Sequence, residues 1–196
     1  MIVYLHGFNS SPQSYKAQCF EAWLRQRGQQ AQFACPALPH FPAKAIAAAE
    51  TAMAGHSGGA LCFVGSSLGG FYATYLAEKH NARAVLINPA IDPHIGLRAY
   101  LGTQRNLYSG AEYALTEAHL AAWAAQFVPV IRPGRYLLLV ETGDEVLDYR
   151  RAVDRYRGAR QIVVEGGDHS LKSFPDQLAL IAEFAQLAAP TEPRRL

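Results

Sequence analysis

The sequence predicts an α/β fold: a six-stranded, mostly parallel sheet with helices on both faces. Three observations predict it. Short apolar runs alternate with helix-length segments along the chain. The runs are continuous rather than alternating with polar residues, as in strands buried on both faces. Chemically reactive residue types follow the runs, at the carboxyl ends where an open α/β sheet gathers its functional loops.

The elements follow in order. Ile2 to Leu5 is an apolar run and the first strand. His6-Gly7-Phe8-Asn9-Ser10-Ser11 is a loop, and Ser11 with Pro12 predicts the start of a helix that runs to about Arg27. Ala17, Phe20, Trp23 and Leu24 share one face of it, and Gly28 stands where a left-handed cap residue belongs. Ala31 to Cys35 is the second strand, stopped by Pro36. A proline-rich connection leads to an alanine-rich helix over Ala43 to Ala54, ended by Gly55 and the turn His56-Ser57-Gly58-Gly59. The third strand starts at Leu61, and a helix-forming segment runs from Phe71 to Lys79. Ala84 to Ile87 is the fourth strand, Tyr136 to Val140 the fifth and Gln161 to Val164 the sixth. A loop from Glu141 to Val146 leads into a helix to about Arg157 that joins the last two, and another helix follows over Phe174 to Ala188. The rhythm breaks at about residues 90–133, far longer than an ordinary connection between strands. This segment reads as a lid insertion with short helical pieces over Gly96 to Leu101 and Thr116 to Gln126. At 196 residues, half of them hydrophobic, a single domain over residues 1–189 is expected, with 190–196 as a flexible tail.

Composition excludes several function classes. The net charge of +2 and the lack of a basic run give no footprint for nucleic acid or an anionic membrane. No apolar stretch approaches 18 residues, so no membrane span is expected. Three cysteines without C-x-x-C spacing fit a reducing, cytoplasmic setting. The histidines lack metal-ligand spacing, and there is no G-x-G-x-x-G or Walker lysine, so neither metal nor cofactor is expected. Nothing in the pattern speaks to oligomeric state.

One stretch carries the chemistry. The apolar run Leu61-Cys62-Phe63-Val64 ends in Gly65-Ser66-Ser67-Leu68-Gly69-Gly70, a G-x-S-x-G pattern between a strand and a helix. In that context the pattern predicts a nucleophile elbow, which lifts the Ser67 hydroxyl above the sheet edge. The bland alternative is a glycine-rich turn in which Ser67 caps the following helix. The strand ends decide between them. An acid follows the fifth strand, at Thr142-Gly143-Asp144, and a histidine follows the sixth, at Gly166-Gly167-Asp168-His169. Ser, Asp and His then stand in the chain order expected of α/β-hydrolases. A serine hydroxyl needs a base to take its proton, and an imidazole does so near neutral pH. A buried carboxylate orients that imidazole and stabilises its protonated form. Ser67, His169 and Asp144 are therefore the candidate nucleophile, base and acid. Asp144 could instead cap the following helix, leaving Asp148, one turn on, as the acid, and His169 could simply cap the last helix. The oxyanion donors expected are the backbone N–H groups of Leu68 and Phe8. His6 reads as a residue that shapes the oxyanion loop rather than as a base.

His6-Gly7-Phe8-Asn9-Ser10-Ser11, the Gly65 to Gly70 stretch, Leu86-Ile87-Asn88-Pro89-Ala90, Thr142-Gly143-Asp144-Glu145-Val146-Leu147-Asp148 and Gly167-Asp168-His169 resemble the small bacterial esterases of the YqiA type, within the α/β-hydrolase superfamily. Leu107-Tyr108-Ser109-Gly110-Ala111-Glu112-Tyr113, Thr116 and His119 in the insertion are similar too. The resemblance covers roughly Met1 to Ala188. It implies a compact α/β-hydrolase fold with strand order 2-1-3-4-5-6, and hydrolysis of carboxylic esters or thioesters with Ser67, Asp144 and His169 in the triad. A small-molecule acyl substrate of short to medium chain length is the expected partner. His6, Asn9, Tyr100 and Tyr108 are candidate substrate-binding residues. Tyr100, Tyr108, Tyr113, Trp123 and Phe127 either line an acyl pocket or pack the insertion itself. Arg98 and Arg105 either meet an acidic leaving group or are solvated. An acyltransferase or peptidase on the same triad, and a non-catalytic binding protein on the same fold, are the competing readings.

Overall fold

The computed structural model describes residues 1–56 and 58–187. The expected tail from Pro190, the last helical residue expected, Ala188, and Ser57 of the turn before the third strand lie outside the described residues. Strands β1 (Ile2–Leu5), β2 (Phe33–Ala34), β3 (Cys62–Ser66), β4 (Arg83–Ile87), β7 (Tyr136–Glu141) and β8 (Arg160–Val164) form one sheet in the order β2-β1-β3-β4-β7-β8. Every neighbouring pair in it is parallel. Counted along the sheet strands alone, the order is 2-1-3-4-5-6. This is the compact α/β-hydrolase fold.

The continuous apolar runs have a direct structural cause. Successive side chains of a strand point to opposite faces, and here both faces are covered. Val3, Leu5, Phe63, Leu86, Leu138 and Val140 enter one core, against α2 (Pro42–Met53), α3 (Leu68–His80) and α6 (Tyr149–Arg155). Ile2, Tyr4, Val64, Ile87, Leu137 and Leu139 enter the other, against α1 (Tyr15–Arg25) and α7 (Phe174–Phe184). Each fully buried Leu, Ile or Phe contributes about 1.5–3 kcal/mol. A polar residue anywhere in β3 or β7 would have no wet face to turn to.

Element boundaries differ from the sequence reading, as at α3, which starts at Leu68 and not Phe71, and three of the differences have a local cause. The first helix starts at Tyr15, not Pro12. The Ser11 hydroxyl accepts the Gln13 N–H (3.0 Å) and the Ser11 carbonyl accepts the Ser14 N–H (3.1 Å), so local turn bonds win over helix at this point. The second strand shrinks to Phe33–Ala34 behind a 3₁₀ turn over Gln30–Gln32. It is an edge strand, and Pro36 has no N–H to extend its ladder. The sixth helix starts at Tyr149, because the Asp148 carboxylate accepts the Arg150 N–H and sets the cap there.

The insertion is the larger correction. Its first helical piece is α4 (Pro93–Gly96) with a 3₁₀ turn over Leu97–Tyr100, and its second is α5 (Glu117–Ala125). Between them lies an antiparallel hairpin, β5 (Gly102–Arg105) and β6 (Glu112–Leu115), which the sequence reading lacked. Its strands are mostly exposed and polar, so periodicity gave no signal. The turn does carry one. The Asn106 carboxamide oxygen accepts the N–H groups of Tyr108 (3.0 Å) and Ser109 (2.9 Å), and Gly110 takes a φ of 71°.

Helix α5 anchors the insertion. Trp123 is fully buried, and its indole N–H donates to the Tyr72 hydroxyl on α3 at 2.8 Å. Trp123→Ala is expected to lower folding stability by about 3–5 kcal/mol. Chemical denaturation followed by far-UV circular dichroism reads that loss directly.

Candidate active site

Ser67 occupies the turn between β3 and α3 with φ 55° and ψ −121°. A non-glycine residue in this region carries about 1–3 kcal/mol of strain. Backbone bonds hold it there. The Ser67 N–H donates to the Ile87 carbonyl (2.9 Å), and the Ser67 carbonyl accepts from Gly70 (2.9 Å) and Ala90 (3.0 Å). The flanking glycines follow from distance. A Cβ on Gly65 would stand 2.1 Å from the Gly69 carbonyl oxygen, and one on Gly69 would stand 1.9 Å from the Leu5 carbonyl oxygen. The helix crosses the two strands too closely for any side chain.

The structure brings His169 and Asp144 to this serine. The His169 Nε2 lies 3.1 Å from the Ser67 Oγ, and its Nδ1 lies 2.9 and 2.8 Å from the two Asp144 oxygens. The Asp144 side chain is 1% exposed. Its Oδ1 also accepts the N–H groups of Val146 (2.9 Å) and Leu147 (2.8 Å). Burial opposes the charge, but the bonds from His169, Leu147 and Val146 outweigh it and hold the carboxyl below the ordinary aspartate range. Asp148 points elsewhere, as the cap of α6. Asp168, next to the histidine, turns to Ser170 and Lys172 instead.

Two residues without an assigned role in the sequence reading hold the histidine loop. Glu141 ends β7 and is 1% exposed. Its carboxylate accepts the N–H groups of Asp168 (2.9 Å), Lys172 (2.9 Å) and Ser173 (2.8 Å). Burial opposes this charge as well, and the backbone donors of Ser173, Asp168 and Lys172 outweigh it, so Glu141 titrates below the ordinary range. Asn88, after β4, donates to the carbonyls of Asp168 (3.1 Å) and His169 (3.2 Å) and accepts the Glu141 N–H (3.1 Å). On the outside, Lys16 of α1 donates to the Ser170 carbonyl at 2.8 Å. The available signal was position: Glu141 is a charge closing the apolar run Tyr136 to Val140, and Asn88 closes β4 in the same way.

The loop after β1 lies against the serine. A Cβ on Gly7 would be 3.3 Å from the Ser67 Cβ. The neighbouring N–H of Phe8 and the N–H of Leu68 have no protein acceptor among the described residues. His6 is buried, with Nδ1 3.1 Å from the Gly7 carbonyl and Nε2 accepting the Leu38 N–H at 3.1 Å. Burial holds its pKa below the ordinary histidine value, which keeps Nε2 free to accept. Both ring nitrogens are thus engaged by the backbone. Asn9 holds the insertion: its Oδ1 accepts the Tyr113 hydroxyl (2.7 Å), its Nδ2 donates to Gln104 (3.2 Å) and its carbonyl accepts the Leu107 N–H (3.0 Å). It lines a smaller cavity of about 260 Å³ behind the loop, with His40, Tyr72 and Tyr113.

A cleft of about 710 Å³ opens over Ser67 and His169, with Phe8 and Leu68 in its wall. Ile91, Pro93, Leu97, Tyr100, Leu107 and Tyr108 supply apolar surface from the insertion. Tyr100 and Tyr108 are about half exposed at its mouth. Tyr113 and Trp123 pack within the fold instead, and Phe127 lies against His94 and Arg155. Arg98 pairs with Glu117 on the insertion surface. Among the described residues no group of three or more His, Cys, Asp or Glu side chains could hold a metal ion, and no helix is long and apolar enough to cross a membrane.

Comparison with known proteins places the chain by family and fold. A family model described as "Uncharacterised protein family (UPF0227)" matches residues 1–186. Among solved structures, a protein from Agrobacterium vitis S4 is similar with a TM-score of 0.73 at 19% identity, over 94% of this chain and 87% of that one. The mouse alpha/beta hydrolase domain-containing protein 10 is similar with a TM-score of 0.69 at 18% identity, over 95% and 88%. Est1E from Butyrivibrio proteoclasticus follows with 0.66 at 15% identity, over 94% and 86%. At such identities the likeness establishes the fold.

The two buried carboxylates make a stability prediction. Both ionise below their unfolded values, which lie at about 4. Their contacts therefore stabilise the fold fully above that value, and this stabilisation is lost as pH falls through the depressed native values. The melting temperature is expected to drop as pH falls below about 4 to 5. Glu141→Gln is expected to start lower and fall less steeply. Thermal melts at constant ionic strength across the acid range check both.

Proposed function

The chain belongs to the family UPF0227, and from that premise we propose that it is a serine hydrolase of carboxylic esters or thioesters. One observation carries the reading. A single imidazole spans a serine on a strained turn (Nε2 to Oγ 3.1 Å) and a carboxylate whose side chain is 1% exposed (Nδ1 to Oδ2 2.8 Å).

In this mechanism the Ser67 Oγ attacks the substrate carbonyl carbon while His169 Nε2 takes the hydroxyl proton. The tetrahedral oxyanion is met by the N–H groups of Phe8 and Leu68. Asp144 keeps the proton of the neutral ring on Nδ1 and stabilises the imidazolium. Collapse of the intermediate breaks the bond to the leaving oxygen or sulfur, which takes the proton from Nε2, and an acyl group stays on Ser67. Water, deprotonated by the same nitrogen, then releases the acid. The cleft volume is in the usual range for a small-molecule site, and its apolar wall supports acyl groups of short to medium length. Removing one oxyanion donor typically costs about 3–4 kcal/mol of transition-state stabilisation, so the free N–H groups are part of the proposed machinery alongside the triad.

A fluorophosphonate probe is expected to label the wild-type protein and neither Ser67→Ala nor His169→Ala. Asp144→Asn is expected to lower kcat on a p-nitrophenyl ester by about 10⁴-fold, whereas Asp148→Asn stays within a few-fold. Labelling that persists in Ser67→Ala would overturn the proposal, and equal losses in the two aspartate variants would overturn the choice of acid.

A further inference from the structure

We infer that Glu141 is a positioning residue, whose buried carboxylate fixes the loop carrying His169 and thereby the place of the imidazole against Ser67. The inference rests on the reading of His169 as the base.

The loop from Glu165 to Ser173 has no strand or helix bonds of its own to hold it. It must nevertheless keep one ring within hydrogen-bond reach of both Ser67 and Asp144. Three of its N–H groups, from Asp168 on one side of the histidine and from Lys172 and Ser173 on the other, converge on Glu141. The histidine is bracketed by bonds to one side chain. That side chain leaves a rigid place, the last residue of β7, which pairs with Val164 at the end of β8. Asn88 closes the arrangement from β4: it takes the Glu141 N–H and grips the carbonyls of Asp168 and His169.

The backbone has been shaped around the carboxylate. A Cβ on Gly167 would stand 1.9 Å from the Glu141 Oε2, and Gly167 has φ 69°. Only glycine lets the chain pass over the buried oxygen. A carboxylate suits this place because it accepts with both oxygens and has no donor to clash with the three N–H groups. A glutamine keeps the shape and loses that property: its NH₂ faces N–H donors.

A merely structural role for Glu141 predicts lower stability with an unaltered site, so the test reads the site itself. The probe is the proton on His169 Nδ1, observed by NMR as a downfield resonance and assigned by its absence in His169→Ala. In folded Glu141→Gln the resonance is expected to shift or exchange-broaden away. On a p-nitrophenyl ester, kcat is expected to fall about 100-fold, the size of effect a misplacement of about 1 Å produces, with KM within about threefold. A folded Glu141→Gln that keeps both the resonance and kcat would overturn the inference. If the wild type neither hydrolyses esters nor binds the fluorophosphonate, the proposed function falls, while the response of the resonance still decides the role of Glu141. Where Glu141→Gln does not fold, amide exchange in the wild type decides. Slow exchange at Asp168, Lys172 and Ser173 supports the clamp, and exchange at the rate of an unstructured peptide overturns it.

Discussion

The site depends on a single close approach of backbones. Helix α3 starts so near to β1 and β3 that Gly65 and Gly69 have no room for a Cβ, and a Cβ on Gly70 would meet Pro89 at 2.6 Å. Three chain segments, ending in Leu5, Ser66 and Asn88, are thereby drawn to one point. The strained serine sits at that point, in the turn between β3 and α3. The carbonyl of Ser67 is held by two N–H groups and its own N–H by β4, so neighbouring backbone offsets the strain of a positive φ. The same crossing brings Gly7 against Ser67 and leaves the N–H of Phe8 beside the start of a helix, where partial positive charge collects. The proposed nucleophile and the proposed oxyanion donors are thus two results of one packing constraint.

The insertion is tied to that constraint by the oxyanion loop itself. Asn9 and Ser10 follow Phe8 directly, and they accept or donate four hydrogen bonds from Gln104, Asn106, Leu107 and Tyr113. The hairpin that puts Leu107 and Tyr108 at the cleft mouth is therefore fastened to the residues next to the proposed oxyanion donor. Its other support is Trp123 on Tyr72, which reaches α3. Both fastenings end on elements that place Ser67. In the proposed mechanism, the cleft mouth and the group that meets the oxyanion are thereby linked through one short stretch of backbone.

What the sequence made legible follows from how local each signal is. The sheet strands were readable because both faces are buried, which leaves unbroken apolar runs such as Ile2 to Leu5 and Tyr136 to Val140. Ser67 was readable because its turn needs glycines at fixed offsets. Asp144 and His169 were found by strand order. The hairpin was missed because β5 and β6 are stabilised by long-range bonds from Asn9 and Asn106 rather than by apolar alternation. His6 and Asn9 were candidates for substrate binding, with His6 also read as a loop-shaping residue; their polar atoms hold the Leu38 connection and the hairpin, and His6 lies in the wall of the cleft as well. Glu141 and Asn88 carried only the signal of a polar residue closing an apolar run, which many strand ends share. Their partners lie up to 81 residues away in sequence.

Glu141 and Asp144 stand three residues apart at the end of β7, both buried and both held ionised, and their partners set them apart. Glu141 takes three backbone N–H groups, whose protons do not leave, so these bonds hold a shape. Asp144 meets two such groups and one ring, which in the proposed mechanism gains and loses a proton at its far nitrogen. In the proposed reaction the two N–H bonds would keep the carboxylate charged and in place, while the third bond would change strength as the ring becomes an imidazolium. Only an interaction that strengthens in the transition state speeds the chemical step. Burial or a depressed pKa, which the two carboxylates share, would not distinguish them; the titratable partner does.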